Sequence, residues 1–293
     1  MSLSVLITTY NRADELRRCL DSLVKQTDQD FEVIVYDDGS QDNSEDVANE
    51  FKSQLDLKYI YGENFGGPAR GRNVGIKEAS REYVSFLDSD DWWYEDRVAR
   101  IKKYFGQYDV IFHELDYQGK NFKVGDKTTN GREVTGNVYV DLLTKGNCLS
   151  NSATTLKKEL VVHAGGVSEL DELKAVEDYD LWLKVAKLSN KFLYIKDSLG
   201  AYWIGDDNIS TASEKYISKI TYLVNDHVKS LDKEDQKEAY AFLDYIIARN
   251  YQAMGRTDVK AQFFRVFLNS KRPVVKLKSL YCICSLFLKG IFK

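Results

Sequence analysis

Tyr83-Val84-Ser85-Phe86-Leu87-Asp88-Ser89-Asp90-Asp91-Trp92-Trp93 is the stretch on which the reading of this chain turns. Its first five residues form a short apolar run bounded by polar ones, which reads as a buried strand. Three carboxylates then crowd the strand's exit. In a dry place they would repel one another, and they are tolerable where solvent or a divalent cation neutralises them. Mg²⁺ and Mn²⁺ take hard oxygen ligands, usually one or two carboxylates together with substrate phosphates. The run therefore points to a phosphate-bearing substrate held through a metal. A solvated turn capping the next helix is the plainer alternative, and the two tryptophans that follow weigh against it.

Upstream of this stretch, strands and helices alternate. Leu3–Thr8, Phe31–Tyr36 and Leu57–Tyr61 are strand-like apolar runs. Between them, Ala13–Gln26 carries Leu16, Leu20 and Leu23 at helical spacing, and Asn43–Lys52 and Ala69–Ser80 read as further helices. Strands separated by helices of this size predict βαβ units and a parallel sheet buried on both faces. Polar residues collect where the strands end: Thr8-Thr9-Tyr10-Asn11, Asp37-Asp38-Gly39-Ser40 and Asp88-Ser89-Asp90-Asp91. Open α/β sheets bind ligands outside the carboxyl ends of their strands, so these three segments are expected to meet one ligand.

Other segments admit two readings each. Asp37-Asp38-Gly39-Ser40 suits a turn or a helix cap, and equally a carboxylate accepting a hydrogen bond from a nucleobase N–H. Gly66–Asn73 approaches a phosphate loop, but Arg72 and Asn73 stand where lysine and a hydroxyl residue belong. It reads as a glycine-rich turn from which Arg70 or Arg72 could reach a diphosphate or a base. Glu177-Asp178 opens a helix, where acids are favoured by the macrodipole. Asp178 also lies four and seven residues before Trp182 and Val185, on the stripe expected to face inward. An inward carboxylate at a helix start is a candidate general base. The dipole lowers its pKa and burial raises it, and the sequence leaves that balance open.

The chain has 293 residues, 43% hydrophobic and 29% charged, with a net charge of −4, ordinary for a globular protein and without general attraction to nucleic acid. The charge is unevenly spread. Residues 259–293 hold eight basic and no acidic residues, so the rest of the chain carries −12. This asymmetry suggests that the tail meets something anionic. Cys19, Cys148, Cys282 and Cys284 lack paired spacing and read as reduced thiols of a cytosolic protein. No signal peptide precedes the first strand, and no apolar stretch reaches the roughly 20 residues of a spanning helix. His113, His163 and His227 show no zinc-ligand spacing.

The middle of the chain is less regular. Val110–Leu115, Ala153–Leu156, Phe192–Ile195 and Leu199–Ile204 read as strands, and Asn137–Thr144 and Glu177–Leu188 as helices. Beyond about residue 211 the pattern is helical, with Asp232 as a cap and Pro273 opening the last helix. Two regions are expected, 1–210 and 211–293. The last helix places Val274, Leu277, Tyr281, Cys284, Phe287, Leu288 and Ile291 among lysines, with Lys278, Ser285, Lys289 and Lys293 on the polar side. It suits a membrane interface, or packing on the protein or a second subunit with a solvated lysine face.

Five segments, in order, resemble a family 2 glycosyltransferase with the GT-A fold: Ser4–Arg12, Phe31–Ser40, Gly66–Gly75, Asp88–Asp91 and Glu177–Trp182. The resemblance covers about residues 3–205. It implies a Rossmann-like, mostly parallel sheet flanked by helices, with a helical C-terminal extension. It also implies an inverting enzyme that moves a sugar from a nucleotide-diphosphate donor, a UDP-sugar foremost, to a glycan or lipid-linked acceptor in bacterial surface-polysaccharide synthesis. Thr8, Tyr10 and Asp38 would hold the base, with Asp37 in support and Asp88-Ser89-Asp90 as the D-x-D element. Asp90 would bind Mn²⁺ or Mg²⁺ with Asp91 nearby, and Asp178 would be the catalytic base. Many relatives carry a histidine where this chain has Gly205, and Asp206 or Asp207 could substitute. The implied place is the cytoplasm, with a peripheral position on the inner face of the membrane as a further expectation. A nucleotidyltransferase and a non-catalytic sugar-nucleotide or glycan-binding module are the alternatives. The former usually needs a glycine-rich loop, which Thr8–Arg12 lacks; the intact acids at 90 and 178 argue against the latter.

Overall fold

The computed structural model describes residues 1–119, 127–129, 131–205, 212–256 and 258–291, with side chains of the last helix described to residue 285. The described chain divides into two compact units. The first comprises Met1–Val134, Cys148–Glu169 and Glu177–Asp207; the second comprises Thr135–Asn147, Leu170–Val176 and Asn208–Lys293. Two segments that precede residue 211 thus belong with the helical C-terminal region.

The first unit is built on one sheet of eight strands. These are β1 (Leu3–Thr9), β2 (Phe31–Asp37), β3 (Asp56–Tyr61), β4 (Tyr83–Asp88), β5 (Trp92–Trp93), β6 (Val110–Gly119), β7 (Thr154–Lys157) and β8 (Phe192–Ile204). Their order is β3-β2-β1-β4-β7-β6-β8-β5. The first four are parallel; β7 runs antiparallel to β4 and β6, β8 runs parallel to β6, and β5 is antiparallel to β8. The register pairs Thr9 with Asp37 and Thr8 with Asp88. Three polar strand ends therefore stand side by side at one rim, as a parallel sheet with even strand lengths requires.

Helices cover the sheet. α1 (Ala13–Val24) buries Leu16, Leu20 and Leu23 completely against Val5, Ile7, Val33 and Val35, in one apolar cluster. Each such side chain stabilises the unit by about 1.5–3 kcal/mol relative to exposure. α2 (Ser44–Glu50) follows β2, and α3 (Pro68–Glu78) follows β3. α3 approaches the sheet through Gly71, where an added Cβ would lie 2.6 Å from Tyr36 Cδ1 and 2.8 Å from Thr8 Cγ2. The glycine-rich run thus serves close helix–sheet packing, which explains its poor fit to a phosphate loop. α4 (Arg97–Lys102), α6 (Lys158–His163) and α7 (Glu177–Leu188) complete the unit.

Two sequence expectations change in detail. Phe192–Ile195 and Leu199–Ile204 are parts of one 13-residue strand, β8. The polar Lys196 and Asp197 between them are exposed and bulge out of the ladder between Ile195, opposite His113, and Ser198, opposite Glu114, so the apolar pattern and the pairing break at the same place within one continuous strand. The same span carries register shifts against β6 between His113 and Asp116. The pair Trp92–Trp93 forms the short edge strand β5, too brief for any periodicity to announce.

In the second unit, α5 (Val138–Lys145) joins α8 (Glu214–His227), α9 (Lys233–Ala253), α10 (Lys260–Asn269) and α11 (Pro273–Ile291). Asp232 caps α9 as its sequence suggested, accepting from the Glu234 and Asp235 amides at 3.0 and 2.8 Å. Pro273 opens α11 as expected. A small core gathers Ala248, Val259, Phe263 and Cys282.

Candidate active site

The site is best assembled from the three strand ends. At the end of β1, Thr8 is half-buried and Tyr10 is exposed. Asn11 then turns the chain with φ of 49°, a left-handed conformation that asparagine tolerates better than most residues. Its amide donates to Ser40 Oγ at 2.8 Å, and its Oδ1 accepts from the Gln41 amide at 2.7 Å. These bonds clamp the ends of β1 and β2 together.

The adjacent Asp37 and Asp38 do different work. Asp37 is fully buried; Oδ1 accepts from the Ser40 amide and Oδ2 from Tyr59 Oη, each at 2.7 Å. It braces the turn against β3. Asp38 faces the loop after β3, where its two oxygens accept from the Phe65 and Gly66 amides, both at 3.1 Å.

The end of β4 is denser. Asp88 Oδ1 accepts from Arg72 Nη2 at 2.9 Å and from Asn151 Nδ2 at 2.8 Å. Ser89 is buried. Asp90 is partly exposed and pairs with Arg12. Burial and the neighbouring Asp88 charge push its pKa up, and Arg12 opposes them. The Asp90 carbonyl accepts from Arg18 Nη2 at 2.6 Å. The Arg18 guanidinium lies over Trp92 and Trp203, at 4.4 and 4.6 Å from the ring centroids. Asp91 is 2% exposed. Its oxygens accept from Ser152 Oγ at 2.5 Å and from the Trp203 amide at 2.8 Å, tying β4 to β8. Burial, with Asp90 and Asp88, raises its pKa well above the carboxylate range.

α7 supplies the fourth component. Arg72 Nη1 donates to Glu177 Oε1 at 2.8 Å, so one buried guanidinium joins Asp88 to the start of α7. Burial works against the Arg72 charge, and Asp88 and Glu177 outweigh it. Next to Glu177, Asp178 is half-buried and accepts from the Tyr179 amide at 2.7 Å. Its pKa is pushed up to about 7, first by burial and then by Glu177, against the pull of Arg72. The balance the sequence left open falls on the side of burial. Arg70 points elsewhere: its guanidinium sits 3.1 Å from the Phe65 ring centroid, with Nε 3.3 Å from Glu169.

The sequence-predicted residues of β1, β2 and β4 thus share one rim, and Asp178 connects to it through Glu177, Arg72 and Asp88. Arg12, Arg18, Asn151 and Ser152 are additional members. Arg12 closes the Ser4–Arg12 segment, in which the resemblance gives it no role, and Asn151 and Ser152 come from a short 3-10 turn with no local signal.

Among the described residues, no cluster of three or more His, Cys, Asp or Glu could hold a metal by itself. Asp90 fits a Mg²⁺ or Mn²⁺ ligand in kind, as a partly exposed hard-oxygen donor whose charge Arg12 alone offsets through an ion pair. Asp91 has both oxygens engaged inside the protein. Gly205 offers no side chain, and Asp206 and Asp207 lie outside the described residues.

The sequence pattern of Glycosyl transferase family 2 matches residues 4–156, just over half of the chain. Glycosyltransferase GlyA of Streptococcus pneumoniae serotype 4 is 29% identical over 276 residues, covering 87% of this chain and 39% of the relative. Poly(ribitol-phosphate) beta-glucosyltransferase of Bacillus spizizenii is 29% identical over 244 residues, covering 75% and 37%. The chain therefore spans about two fifths of the length of these relatives. Among solved structures, S. aureus TarS 1–349 in complex with UDP-GlcNAc aligns with a TM-score of 0.68 at 19% identity, covering 99% of this chain and 92% of that one. A mannosyltransferase from Pyrobaculum calidifontis in complex with GDP-Man and Mn²⁺ aligns with a TM-score of 0.63 at 16% identity, covering 97% and 80%. On these matches the chain has the GT-A fold and belongs to glycosyl transferase family 2.

Proposed function

We propose that this chain is an inverting glycosyltransferase that transfers a sugar from a nucleotide-diphosphate donor to a hydroxyl of a glycan or lipid-linked acceptor. The observation that carries this reading is the link Asp88–Arg72–Glu177, which sets Asp178, with a pKa of about 7, beside an acidic strand end. A UDP-sugar is the proposed donor, in keeping with the UDP-GlcNAc complex of TarS. Cell-surface polysaccharide is the proposed product, in keeping with the poly(ribitol-phosphate) enzyme of B. spizizenii.

Each residue then has a role that its surroundings support. Asp38 accepts from the base once the Phe65 and Gly66 amides give way, and Thr8 and Tyr10 form the wall beside it. Asp37 holds that wall through Ser40 and Tyr59. Ser89 and Asp88 line the ribose and diphosphate path, with Asp88 fixed by Arg72 and Asn151. Arg70, on the outer side of α3, can swing from Glu169 toward the donor. Asp90 is the proposed ligand for Mn²⁺ or Mg²⁺, with Asp91 bracing it from behind. A divalent ion bound there supplies Lewis-acid stabilisation of the leaving diphosphate.

Asp178 takes the proton from the acceptor hydroxyl as its oxygen bonds to the anomeric carbon. The carbon–oxygen bond to the diphosphate breaks on the opposite face, so the configuration inverts and the nucleoside diphosphate leaves. A base with a pKa near the working pH is suited to this transfer, which typically contributes about 10²–10⁴ in rate.

Residues 1–210 are proposed as the catalytic region, and 211–293 as an appended helical region. Among the described residues no helix is long and apolar enough to cross a membrane. The proposed place is the cytoplasm, peripheral to the inner face of the cell membrane, where lipid-linked acceptors lie.

A thermal-shift panel of UDP, GDP, dTDP and CDP, with and without Mn²⁺, tests the donor reading. One nucleotide should raise the melting point by mass action, more strongly with Mn²⁺. No shift with any of the four would contradict it.

A further inference from the structure

The last helix, α11, is apolar on the side it buries and apolar on the side it exposes. Val275, Ser279 and Cys282 recur at spacings of four and three and are at most 5% exposed. Val274, Leu277, Leu280 and Tyr281 fall on the other side and are 61%, 65%, 43% and 73% exposed. Cys284 continues that side and is exposed as well. The neighbouring α10 repeats the pattern: Phe263 and Val266 are buried, while Phe264 and Leu268 are 54% and 60% exposed. A surface helix normally turns polar residues outward, and one that is apolar all round is covered on both sides. The sequence allows a membrane-interface helix or a packed helix with a solvated lysine face; in the structure the apolar stripe is exposed together with Lys278.

The charges identify the cover. No acid occurs in residues 259–293, against eight basic residues. Lys271 and Arg272 are matched to Glu234 and Glu238 within the unit. Lys276 and Lys278, which flank the exposed stripe, pair with no acidic side chain among the described residues. Lys276 lies over the Phe267 ring at 5.6 Å, which leaves its charge in place. Apolar side chains edged by lysines without an acidic partner suit the boundary between acyl chains and anionic headgroups. A second copy of the same face would instead set lysines against lysines. Apolar exposure and cationic flanks are two independent observations with one common partner.

We propose that the exposed side of α11, centred on Leu277 and Tyr281 and flanked by Lys276 and Lys278, is a docking surface for an anionic lipid bilayer. This surface rests on the reading of the chain as peripheral to a membrane and gives that reading its contact residues. It places the second unit against headgroups and requires nothing of the sugar-transfer chemistry.

The test is co-sedimentation of the full chain with phosphatidylcholine vesicles, with and without phosphatidylglycerol. The wild type is expected to bind the anionic vesicles and to lose binding as salt is raised. The double variant L277E/Y281E should weaken partitioning roughly 10- to 100-fold per side chain. K276Q/K278Q should weaken it about fivefold per lysine. Both variants should melt with the wild type, because the altered side chains are exposed. Should L277E/Y281E misfold, Y281W serves as a reporter, and its fluorescence should shift to the blue on adding anionic vesicles. An unshifted Y281W overturns the proposal. A wild type that binds no vesicle overturns both the surface and the membrane reading. A wild type that binds while L277E/Y281E binds equally overturns the surface alone. A dimer in solution that L277E/Y281E converts to monomer shows that a second copy is the cover. In each case the nucleotide-dependent thermal shift, measured without lipid, reports separately on the catalytic reading.

Discussion

Arg72 donates to Glu177 Oε1 at 2.8 Å, which ties the middle of α3 to the residue immediately before Asp178. The same guanidinium holds Asp88 at 2.9 Å. One buried cation thus fixes the distance between the end of β4 and the start of α7. Replacing it with Met should strip the buried Glu177 and the partly exposed Asp88 of the cation they share. Loss of one partner from a buried pair costs about 3–5 kcal/mol. Urea denaturation of Arg72→Met should show a loss of that order, and a change below about 0.5 kcal/mol, the range of a neutral surface substitution, would remove Arg72 from this role.

Asp178→Asn should lower turnover by about 10²–10⁴ and leave nucleotide binding intact. Turnover close to wild type would exclude Asp178 as the base. A variant that also fails to bind nucleotide would place the residue in the donor pocket.

The raised pKa of Asp178 makes two pH predictions. The base must be ionised to act, so kcat should rise with pH through about 7 and level off above it. The stability effect has the opposite sign. The carboxyl has a folded pKa of about 7, above its unfolded value of about 3.9, so folding takes up a proton between those limits. Stability from this group is therefore fully present below about pH 4 and is lost as pH rises to about 7. Asp178→Asn should accordingly raise Tm at pH 8 and change it little at pH 4; equal shifts at both would show that the carboxyl is not strained.

Asp37 and Asp38 are neighbours with separable consequences. Asp37→Asn disturbs a buried carboxylate with two donors and should cost about 1–3 kcal/mol of stability. Asp38→Asn should cost less stability and more nucleotide affinity, read by calorimetric titration. If Asp38→Asn binds every nucleotide as the wild type does, the base sits elsewhere.

Asp90→Ala should abolish the Mn²⁺-dependent part of nucleotide binding, because it removes the partly exposed oxygen donor that Arg12 now neutralises. Binding with unchanged Mn²⁺ dependence would reassign the ligand.

The parallel half of the fold was legible because its signals are local. Apolar runs, helical spacing in Ala13–Gln26 and polar strand ends each occupy a few residues, and they sufficed to expect the ends of β1, β2 and β4 along one edge, where the β2-β1-β4 register sets them. The pairing of Asp91 with the Trp203 amide was not legible, since 112 residues separate the two and nothing local marks the contact. Asn151 and Ser152 reach Asp88 from a single turn, and a turn carries no period to read. The function of the glycine-rich run was only half legible: Gly71 is explained by the Tyr36 ring beneath it, which sequence spacing does not reveal. Arg72 was visible as a cation near the site, whereas its two acid partners, the buried Glu177 and the partly exposed Asp88, required the tertiary structure.

The convergence of Asp38, Asp90 and Asp178 on one donor is tested most directly by a crystal structure of the chain with UDP and Mn²⁺. The account predicts the base against Asp38, the diphosphate toward Asp90 with the ion between them, and the Asp178 carboxylate facing the space the sugar would fill. Nucleotide bound away from this rim, or a carboxylate at 178 facing a separate cavity, would contradict it.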